Sequence, residues 1–165
     1  KKFKDAYFNR FNNIWHHGDF AEIKKTRGFI IHGRSDTTLN PGGVRLGTAE
    51  IYSEVEKFKE IKESIVVGQS WDNDVRIILF IVMNTKFLLT EDLLKRIKIQ
   101  IRKNASPRHI PNKVIVVKDI PRTKSGKIVE LAVKNIIEGN NIKNKEALAN
   151  PKALEQFKNL KELRS

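Results

Sequence analysis

The stretch Val75-Arg76-Ile77-Ile78-Leu79-Phe80-Ile81-Val82-Met83 constrains the fold of this 165-residue chain more than any other. Eight of its nine side chains are apolar and five are β-branched, which favours a strand over a helix. Ile65-Val66-Val67 lies just upstream, and Asp72-Asn73-Asp74 between the two runs has turn composition, so the spacing predicts two strands joined by a tight turn. Val114 to Val117 reads as another strand, and Phe29-Ile30-Ile31 as an earlier one ended by Gly33. Thr37–Asn40 and Val44–Leu46 flank Pro41-Gly42-Gly43 and read as a short hairpin. Helical spacing recurs at Ile51, Val55 and Phe58, with Tyr52 beside them as a core residue, and again at Leu93, Leu94, Ile97 and Ile101 behind Thr90 as N-cap. Ile128 to Glu138 is a third helix with Gly139 as its left-handed stop, and Asn150-Pro151 opens a last one carrying Leu154, Phe157 and Leu160. Strands alternate with helices, so the expected class is α/β (α+β): a short hairpin plus a small mixed sheet covered by helices mainly on one face.

Composition narrows the function. Hydrophobic residues at 39% and charged residues at 31% fit a folded globular protein rather than a disordered one. No apolar run approaches the ~20 residues needed to span a bilayer, and the first residues lack the apolar core of an export signal, so neither a membrane partner nor secretion is expected and the location expected is cytoplasmic. The chain starts at Lys1 without Met, as a piece of a longer protein would. Cysteine is absent, which excludes disulfides, thiol nucleophiles and thiolate zinc sites. His16, His17, His32 and His109 have no metal-ligand spacing, so no metal site is expected from them. The sequon Asn104-Ala105-Ser106 is expected to be silent.

Net charge is +13, from 32 bases and 19 acids, which favours a polyanionic partner: nucleic acid, anionic membrane or a phosphorylated small molecule. The charge is spread, with eight bases and three acids in residues 1–35 and the remainder downstream. A basic helix over 95–103 would support a small nucleic-acid-binding α/β module, but no recognised RNA- or DNA-binding signature appears and few aromatics fall in a stacking pattern. Nucleic acid is therefore the disfavoured alternative.

Three polar clusters lie in the loops, where functional residues concentrate. They are Trp15-His16-His17-Gly18-Asp19, then Gly33-Arg34-Ser35-Asp36 followed by Asn40-Pro41-Gly42-Gly43-Val44-Arg45, and Pro121-Arg122-Thr123-Lys124-Ser125-Gly126-Lys127. Singly, each has a bland explanation as a turn, a local ion pair or a solvated loop. In this order and spacing they resemble the C-terminal end of the acyl-adenylate-forming superfamily, which includes acyl-CoA synthetases, adenylation domains of nonribosomal peptide synthetases, and luciferases. The resemblance runs from Trp15 to about Gly139. The segments 39–45, 106–111 and 150–163 sharpen the likeness to one branch of short-chain acid–CoA ligases.

The resemblance implies residue roles that suit the chemistry of each side chain. Asp19 offers two acceptors to the ribose cis-diol of ATP, and Arg34 and Arg45 offer donor forks to the nucleotide. Asp36 would be the hinge about which a small domain rotates between half-reactions. Gly42 and Gly43 would let the pantetheine arm of CoA pass close to the backbone, and Arg102, with Lys103 and Arg108 as neighbours able to share the task, would meet the CoA 3′-phosphate. Lys127, delivered by Ser125-Gly126, would be the catalytic lysine of adenylation, a compact charge beside the α-phosphate. ATP, AMP, CoA, a small acid and phosphate-bound Mg²⁺ are the implied ligands, with no metal bound by the chain itself. Residues 1–35 would close a large N-terminal domain of the same protein, and 36–165 would be its mobile C-terminal domain with a helical extension. The chain alone is expected to be inactive, and residues 1–28 to pack poorly without their partner strands.

Overall fold

The computed structural model describes residues 2–142 and 145–165. In chain order it contains helix α1 (Lys2–Tyr7), strands β1 (Asp19–Ile23) and β2 (Phe29–Arg34), helix α2 (Thr48–Val55), strands β3 (Ile61–Trp71) and β4 (Asp74–Met83), helix α3 (Glu91–Asn104), strand β5 (Lys113–Val116) and helix α4 (Glu130–Ile137). Short 3₁₀ turns lie at Pro41–Gly43, Pro107–His109, Lys145–Ala147, Pro151–Phe157 and Lys161–Leu163.

β1 and β2 form one antiparallel pair, and β4 is the centre of a mixed sheet, antiparallel to β3 and parallel to β5. The β3–β4 turn consists of Asp72 and Asn73, with φ of 49° and 57°. Two positive φ values are what a two-residue turn of type I′ requires, and Asp and Asn tolerate them better than other residues with a Cβ.

The sheet is covered on both faces, not mainly on one. Val66, Ile77, Leu79 and Ile81 pack against Ile51 and Val55 of α2 and Leu93, Ile97 and Ile101 of α3. Ile65, Val67, Ile78, Phe80 and Val82 face the other way, onto Val133 of α4 and onto Phe157 and Leu163. An uninterrupted apolar strand signals this arrangement, because alternate side chains point to opposite faces and both sets must be buried. Phe80 and Phe157 meet edge to face with centroids 4.9 Å apart.

Other expectations need adjusting. The pairing expected of 37–40 with 44–46 shrinks to a single bridge, Leu39 to Leu46, because the chain turns at Pro41–Gly43 with Gly42 and Gly43 both left-handed, at φ of 58° and 75°, and residues 40–45 form the loop rather than a ladder. The last expected helix is a 3₁₀ segment, Pro151–Phe157, although it buries Leu154 and Phe157. α3 behaves as its sequence reads: the Thr90 hydroxyl accepts the Leu93 N–H at 3.2 Å, with Glu91 and Asp92 at the positive end of the helix and Arg102 and Lys103 at the negative end. Leu94 is half-buried rather than buried.

Among the described residues, no core cluster contains a residue before Leu39. Phe3, Tyr7, Phe8 and Trp15 gather instead in a local aromatic group, Tyr7 stacked on Trp15 at 4.1 Å. Ile23 and Phe29 of the β1–β2 pair are 69% and 70% exposed. Gly47 explains how this pair meets α2: a Cβ there would stand 2.3 Å from the His32 carbonyl oxygen, so only glycine permits the approach. No helix among the described residues is long and apolar enough to cross a membrane.

Candidate functional site

Strand register brings the first two candidate residues together. β1 begins at Asp19 and β2 ends at Arg34, and the two are paired across the strands. The Arg34 guanidinium lies 3.6 Å from Asp19 Oδ1, forks onto both carboxylate oxygens of Asp36 at 3.3 Å, and donates to the His17 carbonyl at 3.0 Å. The Asp36 carboxylate, and more weakly Asp19, hold that guanidinium more firmly protonated than usual. Gly18 makes room for it, because a Cβ at that position would sit 2.9 Å from Arg34 Nη2. His17 Nδ1 contacts Asp19 Oδ2 from the other side.

Lys127 reaches this cluster from far along the chain. Its loop closes on Thr123, whose N–H donates to the Lys127 carbonyl at 2.9 Å and whose hydroxyl accepts the Lys127 N–H at 3.1 Å. Gly126 turns the chain with φ of 82°. Lys127, Asp19, Arg34, Asp36, His17 and Arg10 line one open cleft of about 660 Å³. Lys127 therefore shares an open cleft with the Arg34 guanidinium and the two carboxylates that guanidinium pairs with, an arrangement able to hold a polyanion that also carries hydroxyl donors. A neighbouring, largely apolar cleft joins Lys127 to Thr37, Tyr52 and Glu130.

The remaining candidates lie elsewhere. Gly43, with φ of 75°, lines a shallow groove with Asn40 and the β3–β4 turn from Ser70 to Val75. The Gly42 N–H is held there by Asp74. Arg102 is exposed in the last turn of α3, whereas Arg108 Nη1 lies 3.4 Å from where a Gly42 Cβ would be, so of the three neighbouring bases Arg108 is the one beside the glycine turn. Arg45 is exposed and does not line the Lys127 cleft. No group of three or more His, Asp or Glu placed to hold a metal ion occurs among the described residues.

Several polar contacts around these sites follow from no spacing in the sequence. Glu50 of α2 spans His109 Nε2 at 2.7 Å and His32 Nδ1 at 3.2 Å, and His32 reaches Glu22 at 3.2 Å. The Tyr52 hydroxyl donates to Glu130 at 2.6 Å and accepts the Val66 N–H at 3.0 Å; burial, then the Glu130 carboxylate, pushes its ionisation well above the usual tyrosine range. Arg122 ties the Lys127 loop to β3 through Glu63 at 3.2 Å. These contacts span 10 to 78 positions of sequence, and no local spacing marks them.

Residues 50–127 match the family of the AMP-binding enzyme C-terminal domain. Over its length the chain is similar to acetoacetyl-CoA synthetases. It is 58% identical to the acetoacetyl-coenzyme A synthetase of Rhizobium meliloti (strain 1021) and 47% identical to the acetoacetyl-CoA synthetase of Xenopus tropicalis, in each case over 99% of this chain and 25% of the relative. The structure of acetoacetyl-CoA synthetase from Streptomyces lividans superposes with a TM-score of 0.88 at 38% identity, over 99% of this chain and 25% of that one. The chain thus spans about a quarter of the length of the curated relatives it matches.

Proposed function

We propose that this chain is the C-terminal part of a cytoplasmic AMP-forming acid–CoA ligase acting on acetoacetate. In the first half-reaction an acetoacetate carboxylate oxygen attacks the α-phosphorus of ATP, the bond to the β-phosphate breaks, and pyrophosphate leaves with its Mg²⁺. In the second, the CoA sulfur attacks the acyl carbon of the adenylate, the acyl–oxygen bond breaks, and AMP departs. Mg²⁺ belongs with the ATP phosphates, whose oxygens suit it.

The observation that carries the reading is the shared cleft of Lys127, Arg34 and Asp19, with the Gly43 groove set apart from it. In that reading Asp19 takes the ribose hydroxyls, Arg34 steadies the nucleotide, and the Lys127 ammonium stabilises charge on the α-phosphate. Asp36 is the hinge between a large domain that ends with residues 1–35 and a mobile domain of 36–165. Rotation about it would withdraw Lys127 and bring forward Gly42 and Gly43 for pantetheine, with Arg45 as a nucleotide contact and Arg102 as a CoA contact in that second orientation. Apolar exposure on Phe29 and Ile23 supports burial of the β1–β2 pair by the rest of a larger domain.

The test is to measure both half-reactions in the full-length protein. Lys127→Ala should depress adenylate formation by about two decades or more, the order expected for a preorganised charge, and still convert supplied adenylate and CoA. Gly43→Leu should show the opposite pattern. Equal losses in both steps for both variants would refute alternation.

A further inference from the structure

The loop that carries Lys127 lies outside the three-stranded sheet, and a late segment of the chain holds it in place. Arg122 bridges Ile128 across the loop, and Thr123 bridges Leu148 on the outer edge. The Lys124 N–H donates to the Ala147 carbonyl at 3.1 Å, and the Ala149 N–H donates to the Arg122 carbonyl at 2.8 Å. Residues 147–149, from the end of the Lys145–Ala147 turn through the Leu148 bridge, are therefore bonded along the outer side of the lysine loop, beyond the residues 50–127 that match the family.

Asn150 completes the attachment with every polar atom of its side chain. Its Oδ1 accepts the Arg122 N–H at 2.8 Å, while Nδ2 donates to Asp119 Oδ2 at 2.7 Å and to the Ile120 carbonyl at 3.0 Å. Arg122 passes the constraint on, since its Nη1 donates to the carbonyl of Gly126, the residue before Lys127, at 3.0 Å. The segment is itself fixed: Leu148 and Leu154 are buried with Ala132, and Phe157 is fully buried against Phe80. Gln156 adds two bonds to the same stem, accepting the Lys118 N–H at 2.7 Å and donating to the Asp119 carbonyl at 2.6 Å.

We propose that Asn150 is a positioning residue for adenylation, and that segment 147–150, acting through Arg122, sets where Lys127 stands. This rests on the adenylation role proposed for Lys127. A glycine-containing exposed loop explores many positions unless its backbone is bonded elsewhere, and a displacement of about 1 Å at a catalytic group can cost on the order of a hundredfold in rate.

The experiment combines half-reaction kinetics with hydrogen exchange on the full-length protein. Asn150→Ala should lower kcat for adenylate formation by about tenfold to a hundredfold, leave KM for ATP within about twofold, and spare thioester formation from supplied adenylate. Added to Lys127→Ala it should cause no further loss of adenylate formation, because a misplaced lysine that is already absent costs nothing. Amides of residues 122–127 should exchange faster in Asn150→Ala while those of β4 keep their protection. Arg122→Lys, which keeps the charge near Glu63 but loses the second guanidinium nitrogen that donates to the Gly126 carbonyl, should reproduce the kinetic pattern if Asn150→Ala does not fold. Losses that multiply with Lys127→Ala, equal losses in both half-reactions, or unchanged exchange in the loop would each overturn the proposal. Full adenylate formation in Lys127→Ala alone would refute the role given to Lys127, and the exchange measurement would still decide whether the segment holds the loop.

Discussion

The Gly42 N–H donates to both carboxylate oxygens of Asp74, at 2.9 and 3.0 Å, across 32 positions of sequence. This contact fastens the glycine turn to the first residue of β4, beside the groove that Gly43 lines. Asp74→Ala removes both acceptors from an exposed site, so the cost to folding should be about 1 kcal/mol, a shift of a few degrees in thermal midpoint. The functional consequence should be one-sided. On the proposed CoA role of this turn, thioester formation should slow as the turn loosens, while adenylate formation persists; parallel loss of both in stopped assays of the full-length protein would break the link between this contact and the proposed CoA path.

Two glycines should respond to alanine for opposite reasons. Gly43 has φ of 75° and open space within 4 Å of a would-be Cβ, so Gly43→Ala should cost only the conformational penalty of about 1–2 kcal/mol. Gly47 has an ordinary φ of −80°, but its Cβ would lie 2.3 Å from the His32 carbonyl oxygen and 2.7 Å from the His32 Cβ. Gly47→Ala must therefore push β2 away from α2 and should be the more destabilising of the two by urea denaturation. The reverse order would mean that the approach of β2 to α2 is soft.

What could be read from the sequence divides along physical lines. The Val75–Met83 run, the Asp72-Asn73 turn and the Thr90 cap depend on neighbours within a few residues, and each appears where its chemistry requires. The second covered face of the sheet was legible too, in the absence of polar alternation along β4, but only if the continuous run is weighed as evidence of two-sided burial. The shrinkage of the expected 37–46 hairpin was not, because Pro41-Gly42-Gly43 suits a loop closed by one bridge as well as a turn between longer paired strands. Of the candidate site residues, Asp19, Arg34, Asp36 and Lys127 share one cleft through tertiary contact, which no spacing rule specifies. Arg108 rather than Arg102 stands beside Gly42 because the Pro107–His109 turn, not the helix, delivers it.

Tyr52 makes stability sensitive to alkaline pH. In the folded protein its hydroxyl is enclosed between Glu130 and the Val66 N–H, and burial raises its ionisation above that of the unfolded chain. Because the folded state holds the proton more tightly, this contribution is complete below the unfolded value of about 10 and is lost as pH rises past it toward the folded value. Tyr52→Phe should cost about 1–3 kcal/mol at neutral pH, since it leaves the Val66 N–H without its partner, and should flatten the decline above pH ~10. Denaturant titrations of both proteins across that range give the comparison; parallel curves would mean that other groups control the alkaline limb.

Glu50 joins two parts of the chain that no local signal connects. One oxygen meets Nε2 of His109, which is only 6% exposed, and the other meets Nδ1 of His32 in β2. An ionised carboxylate can only accept, so His109 Nε2 donates to it, while Nδ1 lies 2.8 Å from the Ser106 hydroxyl. Glu50→Ala therefore strands a buried imidazole N–H and releases β2 from α2 together. The expected loss is about 1–3 kcal/mol, larger than that for Glu22→Ala at the exposed end of the same chain of contacts. A double-mutant cycle of Glu50→Ala with His109→Ala should show the losses to be non-additive, because the second substitution removes the group that the first leaves unpaired. Additive losses would mean that Glu50 stabilises the protein through the His32 contact alone, and that the buried His109 is satisfied by Ser106.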